Sequence, residues 1–165
     1  MIIKNVEGPF EYFIIHDLFT SSGVFDIFLD CKMNYPQSTQ GNQVISRITQ
    51  GVTYDIAMPR LLHVLELLEV DMTDKEFVLE YHSIGSGFEQ PPVAVGEENH
   101  FKLSVYLSDE GHGEFVHDSE FVPVRKIPWQ INSGLAYYCK ENSWVSYKNT
   151  LQFPSSMLKL TVLNK

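Results

Sequence analysis

The sequence predicts a mainly β, α+β fold: a double-stranded β-helix, or jelly-roll, barrel of the cupin-like kind with supporting N-terminal helices. Three observations predict it. From Glu76 onward the chain breaks into short β-type runs separated by turn signals. The N-terminal third carries helical periodicity instead. Finally, 44% of the 165 residues are hydrophobic and 13% are aromatic, enough to fill one core. A single domain over 1–165 is expected, since no internal repeat, low-complexity tract or long linker divides the chain.

The elements follow in order. Residues 9–19 read as a strand running into a turn. Thr20-Ser21-Ser22 then offers a hydroxyl to accept from the first free N–H groups of a helix. Val24, Phe25, Ile27, Phe28 and Leu29 fit one face of that helix. Residues 34–52, rich in Asn, Gln, Ser and Thr, read as a long loop with a short strand at Val44–Ile48. A second helix is expected over Pro59–Val70, because the missing N–H of Pro59 costs nothing in a first turn. Leu61, Leu65 and Leu68 should be buried there, and Glu66 and Glu69 exposed. Strands are expected at Phe77–His82, Phe101–Leu107, Glu114–His117, Glu120–Val124, Gly134–Lys140 and Met157–Leu163. In the second of these, Phe101, Leu103, Val105 and Leu107 alternate against Lys102, Ser104 and Tyr106. Asp109-Glu110-Gly111, Asn132-Ser133-Gly134 and Phe153-Pro154-Ser155 punctuate the series.

Charge and cysteine content narrow the function. The net charge is -9 and Arg125-Lys126 is the only adjacent basic pair, so a phosphate backbone is repelled and no nucleic-acid partner is expected. No apolar run approaches the ~20 residues that span a bilayer, and no signal-peptide layout opens the chain. A cytoplasmic protein with no membrane partner is therefore expected. Cys31 and Cys139 are too few for a disulfide framework and lie on elements the barrel separates, so both should be free. Cys139, in an apolar strand, should be buried and inert; Cys31, following the first helix, is expected to be exposed.

Three motifs carry more specific information. The first is Gly85-Ser86-Gly87-Phe88-Glu89-Gln90-Pro91-Pro92-Val93-Ala94-Val95; the second is Tyr106-Leu107; the third is Asn142-Ser143-Trp144-Val145. In order and spacing they resemble the prolyl-hydroxylase-like superfamily of 2-oxoglutarate/iron(II)-dependent oxygenases. That family reads G-x-G-[YF]-x-x-x-x-H-x-D, then a strand ending Y-L, then N-S-W-H. The resemblance runs from Pro9 to Leu163 and implies the same jelly-roll. It also implies a facial triad of two histidines and one carboxylate, with iron positions left open for 2-oxoglutarate and oxygen.

Here Val93, Val95 and Val145 stand at the three triad positions, and valine has no lone pair to give a metal. Ser156, in Ser156-Met157-Leu158-Lys159-Leu160, stands at the arginine of the family's R-x-L-x-L, which holds the far carboxylate of 2-oxoglutarate. Lys159 is expected on the outer face. The resemblance thus implies the fold without its chemistry: a degenerate member, a pseudoenzyme, with no cofactor. Val93, Val95 and Val145 should converge at one barrel end as an apolar pocket or plug. Trp144, beside them, should be a packing residue.

Other donors are fewer and weaker. His100, His112 and Glu114 are the alternative metal candidates; His112 and Glu114 form an H-x-E whose side chains share a strand face, with His117 opposite. Gly111–Phe115 also stands at the family's structural G-G-E-L turn, so His112 and Glu114 are expected as solvated turn residues rather than metal ligands. His63 should be exposed, His16-Asp17 structural, and His82 without a nearby carboxylate. The expected function is a non-catalytic binding or structural module whose partner is a small molecule or a protein. One alternative is an active 2-oxoglutarate-dependent dioxygenase with atypical ligands and iron(II) and 2-oxoglutarate as cofactors. Another is a carbohydrate-binding or virion-type jelly-roll.

Overall fold

The computed structural model describes residues 1–93, 99–108 and 114–165. In chain order its elements are β1 Ile2–Val6, β2 Tyr12–His16, α1 Ser21–Asn34, β3 Gln43–Ile48, α2 Val52–Leu67, β4 Lys75–Ile84 and β5 Glu89–Val93, then β6 Asn99–Tyr106, β7 Glu114–His117, β8 Pro123–Ile127, β9 Ser133–Tyr138, β10 Trp144–Lys148 and β11 Ser155–Asn164. Two sheets result, ordered β1-β2-β9-β6-β11-β4-β3 and β5-β10-β7-β8, with antiparallel pairing throughout. This is the expected mainly β jelly-roll. No described helix is long and apolar enough to cross a membrane.

Both helices pack on the larger sheet. Thr20 caps α1 as expected, its hydroxyl accepting from the Gly23 N–H at 3.1 Å. Helix α2 differs from expectation: it starts at Val52, and Pro59 lies inside it. The reason is a cap supplied from another helix. Gly51 offers no side chain, but the Asp30 carboxylate on α1 accepts from the Thr53 N–H at 3.1 Å and from its hydroxyl. No local signal in the sequence reports such a cap. The hydrogen bond Pro59 forfeits is offset by burial of Ala57, Met58, Leu61, Val64 and Leu65. Leu68 is half-buried, while Glu66 and Glu69 are exposed.

Asp30→Ala should therefore cost about 1 kcal/mol in urea unfolding at neutral pH. Burial alone would raise the Asp30 carboxyl, but hydrogen bonds from Thr53 and Asn34 outweigh it and hold the group below its usual range. A depressed carboxyl stabilises the fold above its unfolded value and ceases to do so as pH falls through its folded one. The gap between wild type and variant should thus shrink in acid.

The larger sheet is covered on both faces. Leu103, Val105, Leu158, Leu160 and Val162 join Leu61, Val64 and Leu65 in a core between sheet and helices. A second core, including Tyr106, Leu135, Tyr137 and Met157, lies between the sheets with Val116 and Val145. Cys31 is buried in the first core against Thr53, not exposed, because it faces α2. Burial pushes its thiol up to about 12. Cys31 and Cys139 are both free.

Three strands escape the sequence reading: β1, β5 and β10. Strand β5 carries Pro91-Pro92, which is tolerated because it is an edge strand with an irregular register against β10. Strand β8 starts at Pro123 rather than Glu120. A turn occupies the intervening residues, with the Asp118 carboxylate accepting from the N–H groups of Glu120 and Val122 at 2.9 and 3.0 Å.

Candidate functional site

Strands β4, β11 and β6 lie side by side in the middle of the large sheet. Their alternate residues point away from the helices, toward the small sheet. Those residues are not a solvent face. They place Glu80 and His82, Lys159 and Thr161, and Lys102, Ser104 and Tyr106 inside the barrel.

Glu114, the first residue of β7, reaches across from the small sheet and is 1% exposed. The Tyr106 hydroxyl donates to its Oε2 at 2.7 Å, and the Ser104 hydroxyl to its Oε1 at 3.2 Å. Tyr106 is fixed in turn by stacking on Trp129, ring centroids 4.3 Å apart. Burial raises the Glu114 carboxyl above its usual range, while Lys159, the two hydroxyls and Lys102 pull it back in part.

Lys102 and Lys159 are diagonal neighbours on one face: Lys159 pairs with Ser104, and Lys102 with Thr161. Glu80 stands directly opposite Lys159 on β4, yet its carboxylate is turned to His82 Nε2 at 3.1 Å. The Gln43 side-chain amide donates to His82 Nδ1 at 2.8 Å, so His82 Nε2 carries the proton and donates to Glu80. Burial holds His82 below its ordinary value. Both of its nitrogens are occupied, and the residue is an anchor for Glu80. Among the described residues, no carboxylate comes within 4.0 Å of either lysine ammonium. The Lys159 ammonium instead lies 5.8 Å from the Tyr147 ring centroid. The Tyr147 hydroxyl is buried without a hydrogen-bond partner among those residues, Gln43 lying alongside but outside hydrogen-bond geometry.

These groups surround a cleft of about 480 Å³ whose walls include Glu80, His82, Phe88, Lys102, Tyr147 and Lys159. It meets an inner cavity of about 50 Å³ at Gln90, Lys102, Tyr147 and Lys159. Val93, Glu114, Tyr137 and Val145 close the inner end.

Comparison with solved structures identifies this architecture. The viral collagen prolyl hydroxylase of Paramecium bursaria Chlorella virus-1, in its 2-oxoglutarate complex, superposes with a TM-score of 0.73 at 11% identity, over 93% of this chain and 96% of the other. A Pseudomonas putida prolyl-4-hydroxylase gives 0.70 at 11% identity, over 93% and 92%. An oxidoreductase of the 2-oxoglutarate-Fe(II) oxygenase family from Burkholderia pseudomallei gives 0.69 at 9% identity, over 92% and 84%. The chain therefore has the 2-oxoglutarate oxygenase jelly-roll fold. No protein-family model matches the sequence, and no curated protein does.

The residues singled out in the sequence are distributed as follows. Val93 and Val145 are Cα partners across β5 and β10 and both line the inner cavity. Val95 and His112 lie outside the described residues. The cavity is not the apolar plug expected there. Val145 is 8% exposed but Val93 is 47% exposed, and charged and phenolic groups complete the wall. Ser156 lies on the helix-facing side with Leu158 and Leu160, beside Tyr81, and so turns away from the inner cavity. Lys159, expected outside, faces in. Both corrections have one cause: β11 is covered on both faces, so neither side of its alternation is an outside.

Glu114 is a buried interior carboxylate rather than a solvated turn residue. His100 packs edge-on to Tyr138, ring centroids 5.9 Å apart, outside the cleft lining. Trp144 packs edge-on against Phe121, centroids 4.5 Å apart, on the opposite side of β10 from Val145. Cys139 is half-buried, and burial pushes its thiol up to about 11 despite the opposing charges of Lys102 and Lys159. No group of three or more His, Cys, Asp or Glu residues suited to a metal occurs among the described residues.

Sequence reasoning missed Lys102, Lys159 and the Glu80–His82 pair. The last was visible, since residues i and i+2 of a strand share a face. Lys102 and Lys159 gave no such signal, because each alternates with apolar residues as the solvent side of a half-buried strand does.

Proposed function

We propose that this protein is a non-catalytic, oxygenase-fold binding module that takes a small molecule into its barrel and uses neither iron nor 2-oxoglutarate turnover. The observation that carries this reading is the donor set around the inner cavity. Val93 and Val145 offer methyl groups, and Lys102 and Lys159 offer ammonium donors. Iron(II) needs lone pairs from nitrogen or oxygen and is repelled by fixed positive charge. Among the described residues, Glu114 is the one carboxylate at that cavity, and it already accepts from two hydroxyls. These residues do not fit the metal that the fold implies. A cleft of about 480 Å³ is within the range of small-molecule sites.

The test loads purified protein anaerobically with iron(II), removes excess metal, measures bound iron, and follows succinate release from 2-oxoglutarate in air. The expected result is no stoichiometric iron and no succinate above a protein-free control. Stoichiometric iron with succinate release would overturn the proposal in favour of an active dioxygenase.

A further inference from the structure

We infer that the Lys102–Lys159 pair binds the carboxylate of a small organic acid directly, with no metal between them, and that the acid's body lies in the adjoining cleft. The inference rests on the binding-module reading and specifies its ligand. Two ammoniums converge on one interior space in a chain whose net charge is -9. Every described acid facing them is turned to other partners. Glu80 accepts from His82 on the same strand, and Glu114 accepts from Tyr106 and Ser104. The remaining titratable neighbours among the described residues are His82, Tyr137, Tyr147 and Cys139. Burial lowers His82 and raises the two phenols and the thiol, so all four favour their neutral forms. The positive charge at the inner end of the cleft thus lacks a direct counter-ion among the described residues.

Shape selects the ligand class. An inner cavity of about 50 Å³ has room for a planar carboxylate but little more. Its oxygens would accept from two ammoniums and from the Tyr147 hydroxyl, which has no other partner among the described residues. Beyond it the cleft widens past Phe88 to Ile45, Val78 and Leu163, an apolar wall for a hydrocarbon body. Lys102, lowered by burial and by Lys159, regains a compensating charge when the anion binds.

The full chain, stripped with EDTA, is titrated calorimetrically with hexanoate, 2-oxoglutarate and inorganic phosphate. Lysine side-chain NMR is followed in the same samples. Saturable hexanoate binding without metal is expected, with the Lys102 and Lys159 signals moving. Lys102→Met and Lys159→Met should each weaken it at least about tenfold, and Lys148→Met, at an exposed ion pair with Glu89, should not. The wild-type lysine signals give an answer even where a variant fails to fold. No carboxylate binding, phosphate binding tighter than either acid, or carboxylate binding that leaves both lysines unmoved would overturn the inference alone. Binding of 2-oxoglutarate only after iron(II) is added would overturn both this inference and the metal-free reading.

Discussion

Gly85→Ala should lower the melting temperature by about 10 °C, although it adds a single methyl group. A Cβ at Gly85 would lie 1.7 Å from the Thr39 carbonyl oxygen and 2.9 Å from that of Asn42. Both obstacles are backbone, so no side chain can swing aside. The segment is also pinned: the Gly85 N–H donates to Asn42 O at 2.7 Å, and the Gly41 N–H to Ser86 O at 2.6 Å. Relief requires parting two clamped chains, and a cost of about 3 kcal/mol follows. At ~2–4 °C per kcal/mol for a chain of this size, that gives the stated shift. Gly87→Ala is the control. Gly87 has φ +74 and nothing within 4 Å of its absent Cβ, so the change meets only left-handed strain, about 1–2 kcal/mol. A larger loss at Gly87 than at Gly85, measured by thermal denaturation, would sink the steric account. The first glycine of the motif is thus required by a crossing of backbones, and the second by a turn that delivers Phe88 and Gln90 to the cleft.

Much of the fold was legible because local rules and tertiary structure agree. Thr20 reads as a cap and is one; Phe101, Leu103 and Val105 alternate and are buried together. The errors arise where tertiary structure decides. The start of α2 is set by Asp30, whose partner Thr53 is remote in sequence and which no local pattern links to it. Strand β5 was hidden because Pro91-Pro92 argues against a strand anywhere but an edge. The site was legible only in position. The motif spacing pointed to Val93 and Val145, and these two meet at the inner cavity. Their surroundings could not be read, because a strand between two cores has no outside. Lys102 and Lys159 sit among alternations that look like ordinary half-buried strands. Only the register of β11 between β4 and β6 shows that both face one space.

Glu114→Ala should cost about 3 kcal/mol, while Glu114→Gln should cost far less and should gain on wild type as pH rises. Alanine removes both acceptors of two fully buried hydroxyls, those of Tyr106 and Ser104, and leaves them unpaired. An orphaned buried donor costs ~1–3 kcal/mol, and the vacated volume adds to that. Glutamine keeps an acceptor for Tyr106 and can donate to the Ser104 oxygen, so the geometry survives. The pH dependence has a definite sign. Burial raises the Glu114 carboxyl in the folded state, with Lys159 and Lys102 opposing but not cancelling the effect. A raised carboxyl contributes stability that is full below its unfolded value and is lost as pH rises through its folded one. Wild type therefore forfeits that contribution on the alkaline side, whereas glutamine has no proton to lose. Urea denaturation of both proteins across this range reads the difference directly, with other titrating groups cancelling between them. A wild-type-to-Gln difference that stays flat with pH would show that Glu114 does not titrate there. One that moves toward wild type as pH rises would show that the two lysines hold it ionised. In that case Glu114 would itself be their counter-ion, and the charge offered to a bound acid would fall by one.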